Sequence, residues 1–369
     1  MLRWTLRSLV AEPVAFLVGI TAAASALLLV MFYEAVYAGE AENIVAYPRN
    51  AGADLWVMQR GVANMHMATS YLSDWKVTQV SRLPGVAEVE AILYLNTVVD
   101  AGGQQWFAYV VGLDAPGRRS GPWAMTAGKR VPDDGEAVVP DVFSDITGLE
   151  IGDRMRIVDR EFSIVGLSQG TFSMANSVIF VTRRDVEEIL SSLDIVSFML
   201  VTAAPGVDPG SLATLIEEEI ENVEALPVDE FLRNDRQLAL QMGVETVALM
   251  TFICGALAVL IVAFTVYSLV ARQRRELAVA KALGASNRSL YASVILQAAI
   301  LAALAVAVAT ILALILMPVV TASVPMITLQ LTGASVIRTG VAGVLVAVLA
   351  SIVPARRIAK VDPMTAFQG

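Results

Sequence analysis

Consecutive side chains with soft ligand atoms stand out in the first fifth of the chain. Met65, His66 and Met67 follow one another, and Met58 and Tyr71 lie close to them in sequence. Thioether and imidazole groups together suit Cu(I) or haem iron. The alternative is a Met-rich apolar lip that contacts a membrane, a partner or a lipophilic compound. We favour the apolar lip, predict no metal site, and take these five residues as contact positions.

Motifs for catalysis are absent from the sequence. There is no G-x-x-x-x-G-K-[ST] and therefore no P-loop for nucleotide, and G-x-G-x-x-G, G-x-S-x-G and H-E-x-x-H are missing as well. A Ser-His-Asp triad would need His66, the only histidine, which lies outside a strand–turn–helix context. We therefore predict that the chain is not an enzyme and holds no cofactor of its own.

A second segment, residues 272–288, is basic and lies between two long apolar stretches. Its middle has the composition of a helix, with Leu277, Ala280 and Leu283 at spacings that can share one side. Gly284 is well suited to end such a helix. A topology signal alone would explain the basic residues but not a capped helix. We therefore interpret this segment as a docking surface.

A membrane is needed to position these segments. The chain has 369 residues, of which 56% are hydrophobic and 17% charged, whereas about 25% are charged in soluble domains. Four stretches approach or exceed the roughly 20 apolar residues of a membrane-spanning helix. The predicted spans cover residues 13–37, 246–271, 289–317 and 335–354. We expect Pro318 and Pro325 to end the third span and leave a loop over 318–334. A cleaved signal peptide is the alternative for the first span, but its apolar run is longer than such peptides carry.

The charges are divided unevenly along the chain. The formal net charge is −9, but the stretch from Glu34 to Glu245 has 15 basic and 32 acidic residues, a balance of −17, and the remainder has +8. Lys and Arg near span ends mark the cytoplasmic side. These residues are Arg3, Arg7, Arg272, Arg274, Arg275, Lys281, Arg288, Arg356, Arg357 and Lys360. We therefore predict residues 1–12, 272–288 and 355–369 inside, with the acidic block outside.

Residues 38–245 are numerous enough to fold as a domain. Their apolar periodicity alternates between helix and strand types, which predicts an α+β fold. We expect a platform over about 38–95 and 182–228, a mostly β insertion over about 96–181, and a stalk helix over 229–245. The predicted fold class is an integral membrane protein with four transmembrane helices, one plus three, and a large α+β domain inserted between the first two.

Two segments carry a resemblance to a known family. Residues 274–286 have the sequence RRELAVAKALGAS, and residues 354–367 have the sequence PARRIAKVDPMTAF. The first resembles the signature loop of MacB/FtsX-like ABC permeases, and the second is similar to their C-terminal ending. Weaker similarities to the outer domain of that family lie at 135–139, 147–153 and 162–166. The ATPase domain of some members is missing, so the chain resembles the permease-only branch with a separate ATPase subunit.

The resemblance implies a set of partners. The protein would be a multi-pass permease of a bacterial inner membrane, with both termini in the cytoplasm, and two copies would bind two ATPase subunits that hold ATP and Mg²⁺. Nucleotide binding would move the outer domains, a mechanism called mechanotransmission, and a periplasmic adaptor is a further expected partner; nucleic acid is not. ATPase coupling is implied at Arg272, Arg274, Arg275, Glu276, Leu277, Ala280, Lys281, Leu283 and Gly284.

The resemblance also implies a lipophilic or amphiphilic cargo that is extruded or handed over, such as haem, lipid, peptide or drug. Cargo contact is then expected at Met58, Met65, His66, Met67 and Tyr71. The alternative function is an FtsX-like regulatory module that activates an extracellular cell-wall hydrolase or transmits a signal.

Overall fold

The computed structural model describes residues 13–66, 69–114, 119–173, 177–239 and 245–359. These residues fold into two compact units. A helical unit contains the described parts of 1–38, 246–323 and 329–369, and an α/β unit contains those of 39–245 together with 324–328.

The described residues form eleven helices and twelve strands. The helices are α1 Pro13–Asn43, α2 Ala46–Asn50, α3 Trp75–Ser81, α4 Asp141–Thr147, α5 Arg183–Leu190, α6 Pro209–Glu219, α7 Val228–Ala239, α8 Glu245–Arg272, α9 Arg274–Ala282, α10 Asn287–Ser323 and α11 Gly333–Ala359. The strands are β1 Leu55–Gln59, β2 Leu72–Ser73, β3 Val86–Ala101, β4 Gln104–Leu113, β5 Met125–Gly128, β6 Glu136–Pro140, β7 Arg154–Ile157, β8 Arg160–Ser168, β9 Val178–Thr182, β10 Ile195–Val196, β11 Phe198–Ala203 and β12 Val223–Pro227.

Four of these helices, α1, α8, α10 and α11, are long and apolar enough to cross a membrane. Apart from residues 324–328, the α/β unit comes from the stretch of sequence between the first and the second of them. The predicted fold class, four membrane helices in one-plus-three order with a large inserted domain of helices and strands, is therefore confirmed.

The prediction that Pro318 ends the third span is wrong. Helix α10 continues through Pro318 to Ser323. A proline inside a helix removes only one backbone donor, and the helix continues past it; in the last turn the hydroxyl of Thr321 donates to the carbonyl of Met317 at 3.1 Å, and that of Ser323 to the carbonyl of Val319 at 2.8 Å. The non-helical stretch is correspondingly shorter than the predicted loop.

Small side chains fill the core of the helical unit. Alanines predominate where α1 and α10 are buried, and they include Ala23, Ala24, Ala298, Ala302, Ala305, Ala309 and Ala313. Small residues allow membrane helices to approach closely, which increases their dispersion contacts. The unit is therefore built mainly from close helix packing rather than from large interlocking side chains.

A ten-stranded mixed sheet forms the centre of the α/β unit. Its strand order is β12-β1-β11-β3-β4-β9-β6-β8-β5, and β7 pairs with β3 and β8. Most neighbours are antiparallel, but β4 with β9 and β6 with β8 are parallel. Strand β3 passes through residues 95 and 96 without interruption, so the predicted platform and insertion share one continuous sheet. Periodicity could not reveal this, because one long strand has the same alternation as two short ones.

Helices at the edges of the sheet follow local capping signals. Asp208 caps α6 by accepting a hydrogen bond from the backbone of Ser211 at 2.9 Å, and Pro209 occupies the first turn. Helix α6 ends at Glu219, because Ile220 is extended. Of the predicted stalk helix, α7 covers 228–239, and residues 240–244 lie outside the described residues.

Candidate functional site

Helix α9 is a short helix placed between the spans α8 and α10. It ends in a Schellman motif: Gly284 has φ +96°, its N–H donates to the carbonyl of Lys281 at 3.0 Å, and the N–H of Ala285 donates to that of Ala280 at 3.0 Å. Since glycine adopts positive φ without a Cβ penalty, this residue ends the helix where the sequence predicted. Ser286 accepts a hydrogen bond from the N–H of Ser289 at 3.3 Å at the start of α10.

The three apolar positions predicted to share one side of α9 do not. Leu277 is fully buried in the core of the helical unit, Ala280 is half-buried, and Leu283 is 84% exposed. Residues six apart on a helix point about 120° away from each other, because each residue turns the chain by about 100°. Leu277 therefore fastens α9 to its own unit, and Leu283 faces away.

A different face of α9 is open. Glu276, Val279 and Leu283 are exposed, and their spacing of three and four residues places them on one side of the helix. Sequence reasoning missed Val279, although the same spacing rule would have found it. Arg272 is exposed and Lys281 half-exposed, and the side chains of Arg274 and Arg275 lie outside the described part of the molecule. The open face thus combines two aliphatic side chains with a carboxylate.

The predicted apolar lip is not formed by the residues chosen for it. Met58, Met65 and His66 are buried with 0%, 2% and 4% exposure, whereas Tyr71 is 43% exposed. Met67 lies outside the described residues. The thioethers of Met58 and Met65 belong to the core beneath the sheet, because apolar thioethers gain more from burial than from a solvated lip.

A buried carboxylate explains the position of His66. Asp235 on α7 accepts a hydrogen bond from Nδ1 of His66 at 2.6 Å, and its same oxygen accepts from the backbone N–H groups of Met65 at 3.0 Å and His66 at 3.2 Å. Asp235 and Phe231, one turn apart, are both fully buried. These hydrogen bonds attach residues 65 and 66, in the loop after β1, to α7. No group of three or more potential metal ligands occurs among the described residues.

Buried tyrosines surround this cluster. The ring of Tyr109 contacts those of His66 and Tyr94 edge to face, with centroids 5.2 and 5.3 Å apart. Burial raises the pKa of Tyr94 well above its ordinary value, and the charges of Tyr109 and Asp235 raise it further. Burial also raises the pKa of Tyr47, with Glu90 as the second cause. These phenols therefore remain neutral at physiological pH.

A charged cleft of about 710 Å³ lies beside the start of α5. Arg183, which is 11% exposed, reaches Asp74 at 3.3 Å, Asp114 at 3.4 Å and Glu187 at 2.9 Å. Burial lowers the pKa of Arg183, but the hydrogen bond to Asp74 and the surrounding carboxylates raise it overall. The cleft is thus an ion-paired junction of α5, the end of β4 and the residue before α3.

Comparisons with known proteins agree with this architecture. A family model described as "FtsX-like permease C-terminal" matches residues 248–363, and one described as "MacB-like periplasmic core domain" matches residues 15–219. The chain is 26% identical over 332 residues to uncharacterized ABC transporter permeases of Mycobacterium bovis and Mycobacterium tuberculosis, covering 89% of this chain and 88% of each relative.

Two solved structures are similar to parts of the chain. The periplasmic region of MacB from Actinobacillus actinomycetemcomitans aligns with a TM-score of 0.39 and 12% identity, covering 52% of this chain and 96% of that one. The extracellular domain of the noncanonic ABC-type transporter YknZ from Gram-positive bacteria aligns with a TM-score of 0.36 and 10% identity, covering 47% and 98%. The two family models together cover most of the chain, from residue 15 to 219 and from 248 to 363. The protein therefore belongs to the ABC transporter permeases of the MacB/FtsX type.

Proposed function

We propose that this permease is driven by a separate ATPase subunit that docks on the open face of α9. Two copies of the permease bind two ATPase subunits, which hold ATP and Mg²⁺, and nucleotide-driven closure moves the outer domains by mechanotransmission. The cargo is a lipophilic or amphiphilic compound that is extruded or handed over outside the inner membrane. An adaptor outside the membrane is a further partner in this proposal.

The observation that carries the proposal is the pairing of an anchored side and an open side on one short helix. Leu277 is buried in the helical unit, while Val279 and Leu283 are exposed to solvent or a partner. The side chain of Leu283 is 84% exposed. This is unfavourable when no partner covers it, since about 25 cal/mol are lost for each Å² of apolar surface left in water. A partner surface that covers this face removes that cost. Because Leu277 fixes α9 to the helical unit, a movement is transmitted through α9 between that unit and the partner.

Substitution of the open face tests this coupling. Leu283→Asp and Val279→Asp should each abolish most of the permease-dependent stimulation of ATP hydrolysis, because a charged side chain in an apolar interface must be desolvated without a partner. The measurement is the ATPase rate of the full permease reconstituted in vesicles with its ATPase subunit, with and without each substitution. Membrane insertion and protein yield should remain unchanged, because both positions are exposed.

A matched control comes from the α/β unit. Leu193 is 69% exposed and lies outside α9, so Leu193→Asp should leave the stimulation of ATP hydrolysis intact. Full stimulation by the Leu283→Asp and Val279→Asp variants would overturn the assignment of α9 as the docking helix. Because Leu277 is buried, substituting it would test folding rather than docking.

We do not place cargo contact on the Met58–His66 region in this proposal. Met58, Met65 and His66 are buried, and His66 is hydrogen bonded to Asp235. Of the four residues in this predicted set that the structure describes, Tyr71 is the exposed one. Haem binding through His66 would require uncovering a ring that is 4% exposed and packs edge to face against Tyr109.

A further inference from the structure

A narrow groove runs along the helical unit between α1, α8 and α11. Its volume is about 110 Å³. Small residues form much of its wall, among them Gly255, Ala258 and Ala342, and larger aliphatic residues such as Leu27 and Val346 form other parts of it. A Cβ atom placed on Gly255 would meet no other atom within 4 Å. The groove is therefore an apolar channel that is open at Gly255.

Charged side chains stand at one end of this groove. Nε and Nη2 of Arg338 both lie 3.1 Å from Oε1 of Glu34, and Thr339 donates to Oε2 of Glu34 at 3.2 Å. The Glu34 side chain is 12% exposed and the Arg338 side chain 68%. Since a guanidinium has five N–H donors, most of this group remains available for an acceptor outside the protein.

The depth of the charged end corresponds to that of a lipid headgroup. Pro13 and Glu34 lie on one helix about 31 Å apart at 1.5 Å per residue, which is close to the roughly 30 Å thickness of the hydrocarbon core. Arg338 is therefore at an interface. From Glu34 to Leu27 the groove follows α1 for about 10 Å toward the bilayer centre. An amphiphile with its headgroup at Arg338 would thus place a tail in the groove.

We propose that this groove binds an anionic phospholipid, whose phosphate contacts Arg338 and one of whose acyl chains lies against Gly255. Guanidinium groups bind phosphate through paired hydrogen bonds, and an acyl chain complements a wall of small apolar residues. This site is formed by α1, α8 and α11 and is distinct from the ATPase docking face on α9.

Charge favours a lipid over a second copy of the chain as the occupant. Within 13–39, 246–271 and 289–355, Glu34 and Arg338 are the only charged residues. At this depth a second copy of the chain could therefore offer Arg338 only one carboxylate, that of Glu34. In the second copy this Glu34 is already bonded to the Arg338 of the same copy. An anionic headgroup supplies the acceptor that such a helix lacks.

Native mass spectrometry of the purified full chain tests the proposal with two probes, dioleoylphosphatidylglycerol and dioleoylphosphatidylcholine. The wild-type chain should retain the anionic lipid about threefold to tenfold more strongly. Gly255→Leu should remove the retained lipid by filling the groove, and leucine also favours the helix over glycine. Ala256→Leu is the matched control, because Ala256 is exposed on the same helix outside the groove, and it should retain the lipid.

The charged end is tested separately. Arg338→Gln should remove the preference for phosphatidylglycerol, and Arg338→Lys, which keeps the charge, should retain much of it. Glu34→Gln removes the competing carboxylate, so this variant should bind the anionic lipid at least as strongly as the wild type. Equal retention by the wild type and Gly255→Leu, or no preference between the two lipids, would overturn the proposal. A shift of Gly255→Leu from dimer to monomer in the same spectra, with lipid retained, would instead assign the groove to a second copy.

Discussion

Individual side chains explain why the soft ligands of this chain are structural. Met65 and His66 lie against a buried carboxylate, Asp235, which accepts three hydrogen bonds on one oxygen. Burying a carboxylate is expensive unless donors surround it, so the cluster is stable only when all of its members are in place. The residue types of the loop after β1 left soft-metal chemistry and an apolar lip as alternatives, of which we favoured the lip. The carboxylate that explains their burial, Asp235, lies on a helix far away in sequence.

Replacing Asp235 should therefore lower stability markedly. Asp235→Ala leaves the buried donors of Met65 and His66 without their acceptor, and we expect a loss of about 2–4 kcal/mol in the free energy of unfolding. The ring of Trp56 stacks on that of Phe231 with centroids 4.6 Å apart. In a full chain whose other four tryptophans are replaced by phenylalanine, the fluorescence of Trp56 reports on this region during denaturant unfolding. Glu230→Ala on the exposed side of the same helix should change stability by less than about 0.5 kcal/mol. Equal effects of the two substitutions would contradict the role of Asp235.

Buried phenols set an alkaline limit to stability. The pKa values of Tyr47 and Tyr94 are raised in the folded state, so the stability they contribute is complete below the ordinary tyrosine pKa of about 10 and declines as the pH rises above it. Absorbance titration should show a late step in which these two phenols ionise only well above that pH or on unfolding. Tyr94→Phe should reduce the late step. A late step unaffected by Tyr94→Phe would contradict this account.

Secondary-structure elements were predicted well where local signals decide them. Gly284 ends α9 as predicted, because a cap acts through neighbouring backbone groups. Pro318 misled the prediction, since a proline near the end of an apolar helix interrupts few hydrogen bonds. The predicted apolar face of α9 was wrong because Leu277, Ala280 and Leu283 were taken to share one side. Leu283 points about 120° away from Leu277.

Two neighbouring arginines on α5 test how much burial adds to the stability that an ion pair contributes. Arg183 is 11% exposed and joins carboxylates of three segments, whereas Arg184 is 71% exposed. Arg183→Gln should cost about 1–3 kcal/mol, because it leaves half-buried carboxylates without a counter-charge. Arg184→Gln should cost no more than about 0.5 kcal/mol, since exposed ion pairs contribute little. Denaturant unfolding measures both, and a larger loss for Arg184→Gln would reverse our assignment of the junction.

The whole chain consists of two units with opposite charge balances. The helical spans contain almost no charge, and the inserted α/β unit lies in an acidic stretch of sequence. Membership of the MacB/FtsX-type permeases and four helices capable of spanning a membrane make this a membrane protein. The basic residues near the span ends support our proposal that α9 faces the cytoplasm.

Cysteine accessibility tests this orientation. In a chain whose single cysteine, Cys254, is replaced by alanine, cysteines are introduced at the exposed positions Leu193 and Leu283. A membrane-impermeant maleimide should label Leu193→Cys in intact spheroplasts, and should label Leu283→Cys only after permeabilisation. The reverse pattern would place α9 outside and remove the basis for ATPase docking there.

The sequence by itself determined the membrane class, the one-plus-three order of spans, the inserted domain and the family resemblance. These properties depend on composition, run length and short local motifs, which one stretch of chain carries without help from another. Only the tertiary structure decided that His66 is bonded to Asp235, that Arg338 is paired with Glu34, and that one sheet joins the predicted platform and insertion. Such contacts join residues that are distant in sequence, and their free energy depends on burial that no single segment specifies.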